Sequence, residues 1–409
     1  MVEVLVIGGG PVGSLAAYRA ARKGCEVLLL EQRETIGVPD HCAGLLSVNG
    51  LAKLGHSSLP SSVIQNGRVR GAIFHSPSGN RFQVAGKEAQ AVVVNRTLFD
   101  QYLAGEAEKQ GAQILKGRKV THLHFDREKR IIKARFTEHN SQKKKVNKSL
   151  ESFLAVLAEG RKARLTRTLG FGSVKKNHSL SAMQFLVENI QELNEEFVEL
   201  FVGNKVAPGF FAWIIPISDS CAKVGLASNT QAAAHLSYFL KKHPPSKARF
   251  RDMKILSQHG GEVLISRPLK KTSANGFMVA GDASGQTKAT TGGGVITGGL
   301  AGLVAGEVAA HALKLQDNSQ KLLGLYDQIW RQKMGFQLKT MALFRQLVNR
   351  LPDRSLDLAF KTIIKNNLEG VIEQKADIDS QAAVIFSLLT NPIIIKLGFR
   401  LLPQLIAGV

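Results

Sequence analysis

Three glycines near the start of the chain have the spacing of a dinucleotide-binding turn. Gly8, Gly10 and Gly13 satisfy the pattern G-x-G-x-x-G. The first glycine permits a tight turn, the second lets the backbone approach a pyrophosphate, and the third lets helix and strand pack closely. Glu31 follows a second apolar segment, where a carboxylate can accept hydrogen bonds from ribose hydroxyls. The pattern indicates a dinucleotide with its pyrophosphate at a helix N-terminus, and it does not separate FAD from NAD.

The segments around these glycines form one β-α-β unit. Val2 to Ile7 is a mainly apolar and β-branched run that predicts a buried parallel strand. Ser14 to Lys23 has helical spacing of small and apolar residues, and Gly24 ends that helix. Glu26 to Leu30 predicts the second strand. This arrangement predicts a Rossmann-type fold.

A second motif lies far along the chain. Phe277 to Ala283 predicts a buried strand that ends in Gly-Asp-Ala, and it resembles the second flavin motif of the glutathione-reductase-type FAD family. The resemblance implies that Asp282 accepts a hydrogen bond from a ribityl hydroxyl. The alternative is an aspartate that caps the next turn. Together with the glycine motif, this segment favours FAD over NAD.

A long helix rich in glycine and alanine follows this strand. It is predicted to run from about Gly292 to Leu313, and the segment that opens it is Thr290, Thr291, Gly292, Gly293 and Gly294. The N–H groups at its start would face an anion or a polarised flavin carbonyl. Glycines recur every four residues and predict one closely packed face, at Gly294, Gly298, Gly302 and Gly306. A transmembrane helix with a small-residue face is the alternative, but the strand and aspartate just before it favour a soluble sheet.

Two further segments resemble FAD-dependent hydroxylases. Asn95 to Asp100 resembles their R-x-x-(F/L)-D segment, which implies that Arg96 lies near the phosphate side of FAD. A surface salt bridge between Arg96 and Asp100 is the alternative. Ala158-Glu159-Gly160 follows another apolar strand and resembles their Ala-Asp-Gly turn. Glutamate replaces the aspartate and the usual downstream serine is absent, so no role is assigned to this turn.

Other segments narrow the resemblance to the archaeal geranylgeranyl reductases. Gly37 to Ser47 resembles the cysteine-containing loop of that family. Phe211 to Pro216, followed by Val224 to Leu226, resembles its substrate motif. Tyr326 to Arg331 resembles a segment that follows the flavin helix. The resemblance covers residues 1–331.

The resemblance implies a proton donor and a substrate site. Cys42 would lie near the flavin ring and donate or relay a proton; a buried small apolar residue is the alternative. The implied substrate-binding residues, whose alternative is an ordinary core strand, are Phe211, Trp213, Ile215 and Pro216. Phe211 stands where the family commonly has tyrosine, and Ile215 where it has phenylalanine. An isolated alkene needs both hydride and proton held in geometry and away from water.

The predicted function is an FAD-dependent reductase that saturates isoprenoid C=C bonds of geranylgeranyl-type membrane lipids. Reduced flavin N5 would give the hydride. The alternatives are an FAD monooxygenase or halogenase of the same fold, and a quinone-linked electron-transfer flavoprotein. The sequence has no clear second Rossmann fingerprint for NAD(P)H. The external reductant is therefore reduced ferredoxin or NAD(P)H, with ferredoxin favoured.

The predicted fold is α/β. A Rossmann-type FAD-binding domain is interleaved with a mixed β-sheet substrate domain, and a C-terminal helical region follows. The predicted ranges are 1–60, 91–170 and 271–316 for the FAD-binding domain, 61–90 and 171–270 for the substrate domain, and 317–409 for the helical region.

The chain carries a large positive charge. Its 409 residues include 54 Lys and Arg against 32 Asp and Glu, a net charge of +22. The basic residues are spread out without a recognisable nucleic-acid-binding fold, which disfavours nucleic acid and favours an anionic membrane surface. In Ile393 to Leu402, Lys396 and Arg400 share one face of an apolar helix, which favours an interfacial over a spanning helix. A core-packing helix is the alternative, and Lys143 to Lys145 predict a solvated loop.

Cysteine usage and the N-terminus bear on location. Cys25, Cys42 and Cys221 are scattered, which excludes a disulfide scaffold and a multi-cysteine metal site. The N-terminus lacks the basic segment and cleavage site of a signal peptide. We therefore expect a cytoplasmic protein, peripherally associated with the inner face of the cell membrane, with a prenylated lipid as substrate.

Overall fold

The computed structural model describes residues 1–139, 142, 144–172, 178–375 and 378–407, with only the backbone at 374–375 and 402–407. The strands in these ranges are β1 (Val2–Ile7), β2 (Val27–Leu30), β3 (Leu45–Ser47), β4 (Ile64–Val69), β5 (Gly71–His75), β6 (Arg81–Ala85), β7 (Ala91–Val94), β8 (Gln113–Leu115), β9 (Lys119–Asp126), β10 (Ile131–His139), β11 (Lys145–Leu157), β12 (Ser179–Glu188), β13 (Phe197–Phe201), β14 (Ala212–Pro216), β15 (Ala222–Ser228), β16 (Lys254–Leu264), β17 (Ser273–Ala274) and β18 (Phe277–Val279). The α-helices are α1 (Pro11–Arg22), α2 (Val48–Lys53), α3 (Arg96–Lys109), α4 (Arg164–Thr168), α5 (Ala232–Lys241), α6 (Val295–Lys314), α7 (Gln320–Trp330), α8 (Phe336–Val348), α9 (Asp353–Lys365), α10 (Glu369–Lys375), α11 (Gln381–Leu389) and α12 (Pro392–Ala407).

The chain forms two compact units, each assembled from three separate segments. Unit 1 consists of Met1–Asp40, Arg96–Lys175 and Ser266–Lys339. Unit 2 consists of His41–Asn95, Lys176–Ile265 and Thr340–Val409. The interleaving of two α/β units along the chain agrees with the predicted fold class.

Unit 1 is built on a Rossmann-type sheet. Strands β18, β11, β1, β2 and β8 are parallel and lie side by side in that order. The antiparallel strand β17 extends one edge, and β9 and β10 continue from β11 as an antiparallel meander. The central strands are apolar on both faces because helices and the meander cover them, as expected for a parallel sheet.

The glycine face of α6 packs against α1. A Cβ at Gly302 would overlap the carbonyl oxygen of Val12, and a Cβ at Gly306 would lie 2.5 Å from the carbonyl oxygen of Ala16. The recurring glycines therefore bring two helix backbones together, as predicted. Helix α6 is long and apolar enough to cross a membrane, but 67% of its apolar 18-residue stretch is buried inside the structure. Burial against α1 accounts for this composition without a membrane.

The helix after α6 also belongs to unit 1. The Tyr326 hydroxyl donates to the carbonyl oxygen of Val279 (2.8 Å), so α7 is tied to strand β18. Asp327 accepts from the backbone N–H and the hydroxyl of Thr272, and the Trp330 indole N–H donates to the same hydroxyl (2.9 Å). The predicted helical region began at residue 317, whereas these hydrogen bonds place 317–339 in unit 1.

Unit 2 contains a seven-stranded sheet in the order β16-β12-β15-β14-β13-β5-β6 and a three-stranded sheet in the order β3-β7-β4. One face of the large sheet packs against α5. The small sheet explains why residues 41–60 and 91–95 lie in unit 2 although the sequence predicted them in the FAD-binding domain. Strand β7 pairs with β3 and β4, and this pairing is not local in sequence.

The C-terminal helices attach to the sheet of unit 2 through polar contacts. Asp357 on α9 accepts from the hydroxyls of Ser76 (2.5 Å) and Ser78 (2.7 Å), beside β5. Glu373 on α10 accepts from the backbone N–H of Ala85 (3.0 Å) on β6. Helices α11 and α12 are together long and apolar enough to cross a membrane, but the chain bends by 80° between the two helices.

Candidate active site

The loops that follow β1 and β11 meet at the carboxyl end of the parallel sheet of unit 1. Gly8 has φ +106°, and a Cβ there would overlap the carbonyl oxygen of Ala158. A Cβ at Gly13 would overlap the carbonyl oxygen of Gly8. A Cβ at Gly10 would meet nothing within 4 Å, so open space lies beside this residue. The three glycines thus have the geometry that a dinucleotide-binding turn requires.

Helix α1 begins at this turn with Gly10 as its N-cap and Pro11 as its first residue, and no side chain caps it. The N–H groups of its first turn are consequently available to an anion. The carboxylate of Glu31 accepts from the backbone N–H groups of Gly9 (2.7 Å) and Arg33 (2.9 Å). A carboxylate has about four acceptor positions, so Glu31 can also accept from ribose hydroxyls.

Arg96 and Asp100 form a two-point ion pair on α3. Nε and Nη2 of Arg96 donate to the two carboxylate oxygens at 2.9 and 3.0 Å. The sequence offered this pair as a surface salt bridge, but both side chains are largely buried. Burial raises the pKa of Asp100, Arg96 opposes that rise, and the nearby charges of Asp40 and Glu31 add to it. The pair thus lies in the electrostatic neighbourhood of Glu31, while its contact with a phosphate stays a prediction.

The second flavin motif brings a carboxylate to the start of α6. Asp282 follows β18 and accepts from the hydroxyl of Thr287 (2.7 Å). A Cβ at Gly294, the N-cap of α6, would lie 2.8 Å from the Asp282 carboxylate, and no side chain caps this helix. Gly292 has φ +70°, and Gly293 lies close to the side chain of Lys288. The residues Gly292 to Gly294 therefore turn the chain so that Asp282 lies beside the uncapped helix.

Glu159 has a structural role that the sequence left open. Its carboxylate accepts from the backbone N–H groups of Leu165 (2.9 Å) and Thr166 (2.6 Å) and from the Thr166 hydroxyl (2.7 Å). These groups belong to the first turn of α4. Glu159 is therefore a cap that fixes the loop after β11, which is the loop that contacts Gly8.

The residues of unit 1 fit a dinucleotide that carries a flavin. The uncapped start of α1 suits a pyrophosphate, Glu31 suits a ribose, Asp282 suits a ribityl hydroxyl, and the uncapped start of α6 suits a polarised carbonyl. Among the described residues, no group of three or more His, Cys, Asp or Glu side chains could hold a metal ion.

Unit 2 joins the cysteine loop to the substrate motif. The sulfur of Cys42 accepts from the backbone N–H of Gly44 (3.4 Å). The side-chain amide of Gln184 donates to the carbonyl oxygen of Cys42 (3.4 Å) and accepts from the indole N–H of Trp213 (3.0 Å). Gln184 was not singled out from the sequence; its signal was one uncharged polar residue inside the apolar run of β12. It connects two motifs that are far apart in the chain.

The alternation of side chains along β14 places the predicted substrate residues on two opposite faces of the sheet. Ala212 and Ile214 belong to the core beneath α5, so Trp213 and Ile215 point to the other face of the sheet. Trp213 packs over Gly225, where a Cβ would lie 2.7 Å from the indole ring. Pro216 alternates to the core side, and its carbonyl oxygen accepts from the amide of Asn66 (3.1 Å).

Phe211 and Lys223 lie on either side of this motif. The ring of the half-buried Phe211 is 6.2 Å from that of Trp213. Lys223, opposite Ile215 on β15, is only 5% exposed and donates to the carbonyl oxygen of Val94 (3.2 Å). A Cβ at Gly44 would lie 3.1 Å from the Lys223 ammonium, so Lys223 supports the turn that follows Cys42. The sequence analysis missed Lys223.

Comparison with known proteins identifies relatives over nearly the whole chain. A family model described as FAD binding domain matches residues 1–253. A digeranylgeranylglycerophospholipid reductase of Methanocaldococcus jannaschii is 32% identical over 376 residues, 90% of this chain and 92% of that protein. A protein of the same name from Methanosarcina acetivorans is 32% identical over 371 residues, 87% and 86% of the two chains.

Solved structures show the same fold. A geranylgeranyl bacteriochlorophyll reductase-like protein from Thermoplasma acidophilum superposes with a TM-score of 0.85 and 22% identity over 98% of each chain. A flavin-dependent brominase superposes with a TM-score of 0.72 and 17% identity over 98% of this chain and 99% of that chain. At these identities the likeness concerns the fold alone, and both reductases and halogenases use it.

Proposed function

The chain belongs to the FAD-binding family that includes the digeranylgeranylglycerophospholipid reductases, and from this we propose that it is an FAD-dependent reductase of geranylgeranyl C=C bonds in membrane lipids. Its residues fit FAD as described for unit 1. The observation that carries the proposal is the chain of hydrogen bonds in unit 2 from Trp213 through Gln184 to the Cys42 loop. These bonds join the aromatic side chain of Trp213 to the backbone of the loop that carries the Cys42 thiol. Saturation of an alkene requires an apolar site and a proton source from the protein.

Reduced FAD, when bound, supplies the hydride that adds to one alkene carbon. We propose that the Cys42 thiol gives its proton to the other carbon, so that both carbons become saturated and a thiolate remains. The Gly44 N–H, which already points at the sulfur, stabilises that thiolate. Cys42 is half-buried, so water can return a proton to it after the reaction. Trp213 and Ile215 provide the apolar surface that keeps water from the alkene.

Lipid mass spectrometry tests the reaction. Co-expression with a pathway that makes unsaturated geranylgeranyl lipids should shift the lipids by two hydrogens for each bond reduced. Added oxygen or halogen would overturn the assignment in favour of a monooxygenase or halogenase. Unchanged lipids, with the protein supplied with reduced ferredoxin or dithionite, would overturn it as well.

The proposed role of Cys42 is tested with a matched cysteine. Cys42→Ala should keep the flavin absorption spectrum and reoxidise slowly when prenyl lipid is added to the reduced protein. General acid catalysis typically contributes about 10²–10⁴-fold, which sets the expected loss. Cys221→Ala, another half-buried thiol in unit 2, should behave as wild type. Equal turnover in both variants would assign Cys42 to packing.

We further propose that reduced ferredoxin is the electron donor, since no second dinucleotide fingerprint accompanies the first. Anaerobic reduction can be followed at the flavin absorption band with reduced ferredoxin, NADH and NADPH in parallel. Rapid reduction by ferredoxin alone supports the proposal. Faster reduction by a nicotinamide nucleotide would overturn it.

An anionic membrane surface is the proposed docking partner, with the protein on the cytoplasmic face. Large apolar side chains are exposed on three helices of unit 2, at Leu343, Leu347, Phe386, Leu389, Ile395 and Phe399. Lys396 and Arg400 are exposed on α12 among them. The combination of apolar and cationic side chains, with a net charge of +22, suits insertion at an anionic interface.

Liposome flotation tests the docking. Binding should require anionic lipid and should weaken between about 0.1 M and 1 M salt, as the Debye length falls from about 10 to 3 Å. Lys396→Glu with Arg400→Glu should remove more binding than Lys144→Glu with Lys145→Glu; Lys143 of that predicted loop lies outside the described residues. Equal binding to neutral liposomes, or equal effects of the two pairs, would overturn a role for α12.

A further inference from the structure

A basic surface follows strand β11 in unit 1. The segment from Gly160 to Gly172 has four basic residues and no acidic one. Lys162, Arg164 and Arg167 are exposed, and none of the three forms an ion pair within the described part of the chain. Arg164 and Arg167 are three residues apart and share one side of α4. These three cations form the α4 basic surface.

The α4 basic surface stands on a fixed backbone. Leu165 and Thr166, between the two arginines, are buried, and Leu165 packs in an apolar core of unit 1. The Glu159 carboxylate accepts three hydrogen bonds from these two residues. Ala163 is held at φ +42°, a conformation that persists only where the surrounding contacts impose it. A partner that binds the cations therefore does not have to order the loop that carries them.

The same segment lies beside the residues that fit the flavin. The turn Gly160–Lys162 is next to Gly281–Ser284, the turn that contains Asp282. Strands β11 and β18 are parallel neighbours, and each of these turns follows the carboxyl end of one of them. Ala158, just before the surface, also contacts Gly8 of the glycine turn. A protein bound at the α4 basic surface would thus be close to the residues that fit FAD.

We propose that the α4 basic surface docks an acidic one-electron carrier protein that reduces the FAD, an inference that rests on the proposed electron donor. Each carrier gives one electron, so two successive encounters, with protons from water, complete the reduction of one FAD. The first carrier must leave before the second can dock. Exposed cations suit this exchange because they speed association without the large apolar contact of a stable complex.

An anionic membrane is the other partner that such a charge could attract. Within residues 158–172 no large apolar side chain is exposed, since Leu165 is buried and Leu169 and Phe171 are half-buried. The exposed apolar side chains that suit insertion lie on α8, α11 and α12 of unit 2. Cations without an insertable apolar face, beside the residues that fit the cofactor, favour an acidic protein.

Anaerobic stopped-flow reduction of the FAD tests the site. In Arg164→Glu with Arg167→Glu, the second-order rate of reduction by reduced ferredoxin should fall about 10- to 100-fold at low salt, within the range of electrostatic steering. The difference from wild type should shrink as the salt concentration rises to about 1 M. Arg164→Gln with Arg167→Gln should give an intermediate rate. Reduction by dithionite, which needs no protein docking, should be unchanged in both variants.

Arg127→Glu with Lys129→Glu is the matched control. Both side chains are exposed in the turn between β9 and β10, and the change in charge is the same. Arg127 lines a groove together with Asn275, which precedes β18, whereas Asp282 follows that strand. The control pair thus lies near the opposite end of β18. This variant should be reduced by ferredoxin nearly as fast as wild type.

A second readout does not depend on electron transfer. Calorimetric titration of the oxidised protein with oxidised ferredoxin at low salt should show a dissociation constant that rises in Arg164→Glu with Arg167→Glu and not in the control pair. Equal losses in the two pairs would overturn the docking site in favour of a diffuse field. Normal reduction by ferredoxin with a loss of liposome flotation would instead make the α4 basic surface a membrane contact.

The proposed function and the docking site fail in different experiments. A wild-type protein that neither binds ferredoxin nor accepts its electrons, but saturates lipids with dithionite, would overturn the docking site and leave the reductase assignment intact. A wild-type protein that saturates no lipid would refute the reductase assignment. Titration and flavin reduction would still decide whether the α4 basic surface docks the carrier.

Discussion

Replacing Gln184 by methionine breaks the link between the cysteine loop and the substrate motif while leaving a side chain of similar length. Gln184 is buried on β12 and uses both ends of its amide, one on Trp213 and one on Cys42. Methionine fills the space but cannot accept the indole N–H or donate to the Cys42 carbonyl. The substitution therefore separates hydrogen bonding from packing.

The two lost hydrogen bonds should affect different quantities. The bond from Trp213, at 3.0 Å, joins two buried groups, and a buried donor without an acceptor costs about 1–3 kcal/mol. We expect the free energy of unfolding to fall by that amount. The bond to the Cys42 carbonyl is longer, at 3.4 Å, and holds a loop. Its net contribution of about 1 kcal/mol corresponds to a loss of about fivefold in kcat if Cys42 must be held in place.

Urea unfolding measures the first quantity and reoxidation of the reduced protein by a prenyl lipid measures the second. Gln258→Met makes the same change at an exposed position on the neighbouring strand β16 and should alter neither. In a Trp213→Phe background, which lacks the indole N–H, Gln184→Met should cost less stability than in wild type. Full additivity of the two changes, together with an unchanged kcat, would refute the link.

Three further predictions concern cofactor retention, helix packing and pH. Asp282→Ala should raise the dissociation constant of FAD about 10- to 100-fold, measured by release of FAD fluorescence, whereas the exposed Asp219→Ala should not. Gly302→Ala forces a Cβ into α1 and should destabilise the protein by about 1–3 kcal/mol. Gly105→Ala places its Cβ in open space on α3 and should stabilise the protein slightly. Equal effects of the two substitutions would contradict the close packing of α6 against α1. Burial lowers the pKa of His243 from 6.5 to about 4, so only the unfolded chain binds a proton between those values and stability falls as the pH falls. His243→Gln should remove on the order of 1–2 kcal/mol of the loss between pH 7 and pH 5 in urea unfolding, and an unaltered pH dependence would contradict this.

The nucleotide-binding half of the fold could be predicted because its signals are local. The observed first strand, Val2–Ile7, has the bounds that were predicted for it. The four-residue glycine repeat of α6 predicted a close-packed face because a helix places such residues on one side. Where the chain crosses between the two units could not be predicted in this way. The pairing of β3 with β7 depends on residues that are more than forty positions apart.

Two polar residues of unit 2 escaped the sequence analysis for a common reason. Gln184 and Lys223 each lie within an apolar segment, where a polar residue indicates that a partner exists but not which one. Gln184 accepts from the indole N–H of Trp213, and Lys223 donates to the carbonyl of Val94. These groups come together only when the two sheets of unit 2 have formed. Buried polar residues in apolar runs were thus detectable as positions of interest, and their roles required the fold.

We expect the choice of reaction on this fold to depend on the residues of unit 2. The glycine turn, Glu31 and Asp282 lie in unit 1 and suit FAD whatever the substrate, because a flavin supports several chemistries. The thiol of Cys42 and the aromatic side chain of Trp213 both belong to unit 2. Substitutions there should change which substrate is reduced without loss of FAD, and substitutions around Asp282 should lose FAD without a change in preference. We therefore expect substrate selectivity to depend on unit 2 and cofactor binding to depend on unit 1.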